Sequence, residues 1–163
     1  MFLRRIYCFE SSVVEGLKDD DSMTMYNHWY HDDTLWYTYG FQRYGVRYQN
    51  GRLIVPYSGW YHIYSFMGFY EIVRDPETNK IIEKSRPPIR HSIYKYDTRA
   101  CRETKLACNS QARKDMTDRY DIYYQSHVES LAFLNAGDEI LIRVSDTTMP
   151  LFEHENIFGL HLV

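Results

Sequence analysis

No stretch of this chain is apolar for the 18 or so residues that a membrane-crossing helix needs. The opening residues, MFLRRIYCFESSVVEG, contain no apolar core of signal-peptide length. Two readings stay open on these grounds: a cytosolic protein, or a shortened ectodomain that starts at an added methionine. Basic charge is not in excess. The 19 Lys and Arg are outnumbered by 22 Asp and Glu, for a net charge of −3, which excludes the electrostatic footprint of nucleic-acid binding. There is no Gly-x-y stem, linker, repeat or low-complexity tract, and no Asn-x-Ser/Thr acceptor for a glycan. Nor is there a P-loop, a Gly-x-Gly-x-x-Gly, a His-Glu-x-x-His or a Gly-x-Ser-x-Gly. No nucleophile stands with a base, so the chain is not expected to be an enzyme or to carry a cofactor. Metal ligation is not expected either. His28 and His31 lie beside Asp32 and Asp33, and Glu153, His154 and Glu155 are adjacent, but solvated loops explain both groups. Asp138 and Glu139 belong to a turn before a strand.

Aromatic residues are abundant, with 16 Tyr, 8 Phe and 3 Trp in 163 residues. Tyrosine favours strands and suits surfaces that are half apolar and half wet, protein interfaces among them; plain decoration of a sheet is the alternative. The stretch GWYHIYSFMGFY, residues 59–70, sharpens the choice. A strand sends alternate side chains to opposite faces. Trp60, His62, Tyr64 and Phe66 then point one way, and Tyr61, Ile63, Met67 and Phe69 the other. An ordinary antiparallel strand has one apolar and one wet face. This one carries bulk on both, so both faces should be covered.

The chain has the length of one domain and can build a full core. LRRIYCF reads as a first strand and EGLKDDDSMT as an acidic loop. Asn50-Gly51 is a strong hairpin signal. Pro56, Ser58 and Gly59 bend the chain into the aromatic strand, and residues 74–80 form a turn opened by Asp-Pro. IRHSIYKY, KLACNSQ, SHVESLAFL, EILIRVS and IFGLHLV read as further strands. DTRACRET is a polar tip, ARKDMTDRYD a charged loop, NAGD a turn and DTTMPLFEHEN a loop. Strands at this spacing, with almost no helical periodicity, predict an all-β sandwich or barrel.

Cys101 and Cys108 flank the polar tip, while Cys8 lies far away. A Cys101–Cys108 disulfide is expected, with Cys8 free; closing so short a loop is worth roughly 2–3 kcal/mol. Three reduced thiols are the alternative. His62, His127 and His161 fall inside apolar strands, where a hydrogen-bonded core histidine is the usual explanation.

The order of these segments resembles the tumour necrosis factor (TNF) ligand superfamily. NGRLIVPYSGWYHIYSFMGF is similar to that family's passage from a short strand through a proline turn into Gly-x-Tyr-x-x-Tyr-Ser, here Gly59, Tyr61, Tyr64 and Ser65. SLAFLNAGDEILIRVS, with Leu134, Gly137 and Asp138, looks like its strand-turn-strand. IFGLHLV, centred on Phe158-Gly159, resembles its last strand, and Trp36 matches a Trp upstream of the first hairpin. The match is best over 36–163, with 1–35 poorly matched, inside a single domain of residues 1–163. The resemblance implies a ten-stranded jelly-roll sandwich that assembles as a homotrimer. It further implies an extracellular cytokine, secreted or shed from a single-pass membrane protein, that clusters TNF-receptor-type receptors and does not itself insert in the membrane. Tyr61 and Ile63 would face the protomer's own core, and His62, Tyr64, His127, His161 and Val163 the neighbouring subunits. Near the threefold interior, the histidines are either satisfied rings, a pH-sensitive cluster or metal ligands. Receptor contacts would come from Tyr94, Tyr96, Arg99 and Arg102 on one loop and from Glu153 and His154 on another. A complement-type globular head and a jelly-roll carbohydrate-binding protein are the competing readings.

Overall fold

The structure is a computed structural model, which describes residues 6–7, 23–26, 44–82, 87–114, 120–151 and 156–163. Cys8, His28, His31, Trp36, Glu153 and His154 lie outside the described residues. Among those described, none is helical. The strands are β1 (Ile6–Tyr7), β2 (Thr24–Tyr26), β3 (Arg47–Gln49), β4 (Arg52–Ile54), β5 (Gly59–Ile72), β6 (Ile89–Asp97), β7 (Arg102–Gln111), β8 (Asp121–Leu134), β9 (Glu139–Val144) and β10 (Ile157–Leu162). They form two antiparallel sheets. One has the order β1-β10-β5-β8. The other runs β3-β4-β9-β6-β7, with β2 also paired to β9. The chain crosses from sheet to sheet between β4 and β5, β5 and β6, β7 and β8, β8 and β9, and β9 and β10, as a jelly-roll sandwich requires.

Local chemistry accounts for the turns. Asn50 and Gly51 have φ of 48° and 80°, the left-handed pair of a type I′ hairpin. Gly137, at φ 90°, closes the turn in which Asn135 N–H donates to the Asp138 carboxylate at 2.8 Å. Three elements differ from the sequence expectation. β2 begins at Thr24, the last residue of the expected acidic loop, and runs on to Tyr26. β7 starts at Arg102, because the tip is a tight turn at Thr98–Cys101. β8 begins at Asp121 rather than Ser126, because Ile122 and Tyr124 continue the inward alternation of Ser126 and Val128.

The core lies between the sheets. β5 contributes Tyr61, Ile63, Met67 and Phe69, β10 Phe158 and Leu160, and β9 Ile140, Ile142 and Val144. Polar groups are built into this interior, His91 and Glu71 among them. His91, on β6, is fully buried and bridges the sheets: its Nε2 lies 2.9 Å from Ser65 Oγ on β5, and its Nδ1 3.0 Å from Ser126 Oγ on β8. Neutral imidazole donates from one ring nitrogen and accepts at the other, so it can use both hydroxyls. At the end of β5, Glu71 accepts from Arg113 Nη1 at 2.9 Å and from the Tyr124 hydroxyl at 3.2 Å.

The outer edge of β8 is closed by side chains that follow it in space. Asn109 and Gln111 on β7 donate to the carbonyls of His127 and Gln125, each at 3.4 Å, and Lys114 Nζ donates to Tyr123 O at 2.9 Å. Unpaired edge carbonyls are otherwise a template for another strand.

Burial, first, and the like charge of His127, second, push the His91 pKa down from 6.5 to about 3. The unfolded chain therefore takes up a proton that the folded chain refuses. Stability from this group is complete above the unfolded value and is lost as pH falls toward the folded one, by about tenfold in the folding constant per pH unit. Urea midpoints measured from pH 7 to 4 are expected to fall more steeply for wild type than for His91→Gln. In a second test, Arg113→Ala leaves a buried carboxylate short of its cation, and a loss of about 3 kcal/mol or more is expected in chemical unfolding. Tyr124→Phe removes one hydrogen bond and is expected to cost about 1 kcal/mol.

Candidate functional site

The alternation of β5 holds from Gly59 to Met67 and resumes at Phe69, past the buried Gly68. Tyr61, Ile63, Ser65, Met67 and Phe69 are buried between the sheets, while Trp60, His62, Tyr64 and Phe66 stand on the outer face. β8 contributes its odd-numbered residues to that same face, and β10 contributes Ile157, Gly159 and His161. The face carries large exposed apolar side chains beside its histidines and Glu129: Trp60 is 55% exposed, Leu131 60%, Phe133 48% and Val163 76%. Trp60 and Phe133 meet edge-on at 5.9 Å, tying β5 to β8. Tyr64 lies over Gly159, where a Cβ would stand 2.5 Å from the hydroxyl. Glycine is thus required at 159 by the ring on the next strand, a ring-over-glycine arrangement that also steadies sheets.

Of the expected interface residues, His62 and His161 come together. They are directly opposite in the β5–β10 ladder, with ring centroids 5.0 Å apart. Tyr64 flanks both, at 5.8 and 6.4 Å. His62 Nε2 also lies 3.1 Å from Glu129 Oε2. His127 is on the same face but pairs with Phe66; four residues along β5 from His62, it is roughly 13 Å away. Val163 continues past β10, its N–H donating to Trp60 O at 2.9 Å. Sequence reasoning did not single out His91, Glu129, Leu131 or Phe133. Alternation along β8 was the signal that would have found the last three.

The β6–β7 hairpin carries four expected receptor contacts. Tyr96 is half-buried under the Arg52 guanidinium, 5.3 Å from its ring centroid, and Arg52 pairs with Glu139 at 2.5 Å. A hydrogen bond with Cys101, first, and the charge of that sulfur, second, raise the Tyr96 hydroxyl above its ordinary value. Arg99 and Arg102 are exposed at the tip. The Asp97 carboxylate accepts from the N–H groups of Arg99 and Ala100 at 2.9 and 3.0 Å. The Ala100 bond is the main reason its pKa lies below the usual carboxylate value. Arg99 also donates to Ala136 O, and Thr98 to Gly137 O, so the tip is docked on the β8–β9 turn. Tyr94 is a correction. It is only 5% exposed, between Lys105 Nζ at 5.5 Å and the Arg143 guanidinium at 5.3 Å. A register shift between Ile93 and Tyr94 changes the phase of the strand there.

The expected Cys101–Cys108 disulfide is also corrected. Both thiols are free and exposed. Cys101 sits in the turn, at φ 48°, and Cys108 lies on β7 opposite Ser92. An extended strand separates residues by about 3.3 Å each, so these two are far beyond the 7 Å or so that a bridge can span. Among the described residues, no group of three or more His, Cys, Asp or Glu is placed to hold a metal ion, and no helix is long and apolar enough to cross a membrane.

Comparison with curated proteins finds no match. Comparison with family models does: the model of the TNF (Tumour Necrosis Factor) family matches residues 27–163, from ahead of β3 through β10. Two antiparallel sheets in jelly-roll order, a Gly-x-Tyr-x-x-Tyr-Ser strand at their centre and this match over most of the chain agree, and the chain belongs to the TNF family.

Proposed function

We propose that the chain is a single-domain extracellular ligand, not an enzyme. In this reading it assembles as a homotrimer through the outer face of the β1-β10-β5-β8 sheet, and it binds and clusters receptors of the TNF-receptor type. The protein would act as a secreted ligand or as the shed ectodomain of a single-pass membrane protein. One observation carries the assembly reading: the exposed Trp60, Leu131, Phe133 and Val163 lie on one sheet face. Contiguous exposed apolar surface of this kind marks an interaction site. Obligate interfaces resemble a core cut in half and bury about 2,000 Å² or more. On that reading the bulk on both faces of β5 is explained, one face covered by the protomer's own second sheet and the other by neighbouring copies.

Receptor binding is assigned to the exposed and braced hairpin tip, with Arg99 and Arg102 as its charged contacts and Tyr96 behind them. Arginine and tyrosine are frequent interface anchors, and a pre-ordered tip loses less entropy on binding. Glu153 and His154 remain part of this proposal as residues of the β9–β10 connection.

Light scattering at micromolar concentration is expected to give three times the protomer mass of 19.7 kDa. Leu131→Glu puts a charge at the centre of the face, beside Glu129, and is expected to give a folded monomer by the same measurement. A wild type that stays monomeric at tens of micromolar removes the assembly reading. For the tip, the double variant Arg99→Glu/Arg102→Glu should remain trimeric. It should lose about 30-fold or more in affinity for whichever receptor a panel of immobilised TNF-receptor ectodomains identifies. Unchanged affinity places the receptor site elsewhere.

A further inference from the structure

His62 and His161 form a directly opposed cross-strand pair on the proposed assembly face. Their surroundings are unequal. His62 has an acceptor for a second proton, because Glu129 Oε2 lies 3.1 Å from its Nε2. His161 has none: its Nδ1 is buried without a hydrogen-bond partner among the described residues. Among the described residues, the titratable and charged groups near the pair are few. From β5 comes Tyr64; from β8 comes Glu129, with His127 two residues further along; β10 itself adds Gly159 and Val163 beside His161. The two residues of β1 pair with Phe158 and Ile157, toward the other end of β10. Lysine and arginine are absent from the outward positions of β5, β8 and β10. Among the described side chains, one carboxylate therefore faces two imidazoles.

We propose that this pair is a proton-operated lock on the homotrimer: a proton on His161, for which the face supplies no acceptor, separates the protomers. The inference rests on the assembly reading above. Its sign follows from the geometry. Already in the uncovered protomer, burial first and the neighbouring His62 second hold the His161 pKa below its ordinary 6.5. Covering the face with another subunit removes more water and lowers it further. The free protomer thus binds more protons than the assembled one. Assembly is at full strength above the free-protomer value and weakens as pH falls below it, on the acid side of the ordinary histidine value. One proton per protomer changes the assembly constant by about tenfold per protomer for each pH unit, or about a thousandfold for the trimer.

Sedimentation velocity at fixed ionic strength, at steps from pH 7.5 to 5, tests this with wild type, His161→Phe and His161→Gln, with circular dichroism to follow the fold. The wild type is expected to pass from trimer to folded monomer, its dissociation constant rising by about 100-fold or more. Both variants are expected to hold their pH 7.5 assembly down to pH 5. A wild-type trimer that is unchanged at pH 5, or a His161→Gln trimer that dissociates in step with wild type, overturns the lock and leaves the assembly reading standing. A wild type that is monomeric at pH 7.5 overturns both. Should neither variant assemble, histidine NMR of the wild type decides. A His161 resonance that titrates with the trimer intact refutes the proposal, and one that titrates together with the loss of mass supports it.

Discussion

Everything in this fold turns on one constraint: β5 runs through the middle of its sheet with large side chains on both faces. Because a strand alternates, neither set can be hidden by turning the strand over. The inward set, Tyr61, Ile63, Met67 and Phe69, is covered by the β3-β4-β9-β6-β7 sheet. The outward set stands on the other side of that sheet, facing away from the core. Trp60 rests against Phe133 and Tyr64 against Gly159, contacts that order the rings without covering them. The assembly proposal is the most direct way to complete this burial, and it places function on a sheet face rather than in a cleft.

The interior tolerates polar groups where both partners are supplied. His91 satisfies two serines on the opposite sheet, and Asn109 adds a 3.0 Å hydrogen bond to one of them, Ser126. Glu71 has Arg113 and Tyr124. Each arrangement fixes how one sheet lies on the other, because an unmatched buried polar group costs more than a matched one contributes. The two buried or half-buried histidine sites respond to acid with the same sign and for related reasons. His91 is a group of the fold, and His161 a group of the proposed interface. Together they make the protein one that neutral pH favours.

The turns, the alternation and the strand count were legible in the chain because they are local. Asn50-Gly51 specifies its own hairpin, and the β5 pattern needs no distant residue to be recognised. β8 was read too short because its first residues stand next to a charged segment, and the inward role of Ile122 and Tyr124 shows only when the strand is paired along its whole length with β5. Tyr94 was read as a receptor contact because it lies close to the hairpin tip, and the register shift beside it has no signature in composition. The cysteine pair had a plausible spacing, but spacing says nothing about whether the chain between two thiols doubles back or runs straight, and here it runs straight along β7.

By itself the sequence determined an all-β sandwich, the turns that join its strands, the two-faced strand at its centre and the kinship carried by the Gly59–Ser65 and Phe158-Gly159 segments. The tertiary structure alone decided which histidine is buried, since His91 looks no different in sequence from His62. It also decided that His62 meets His161 and Glu129 while His127 stands apart, and that Tyr94 lies under two cations. A period of two says which residues share a face. Whether that face is inside, and what lies opposite, depends on strands 49 to 101 residues away and on how two sheets pack.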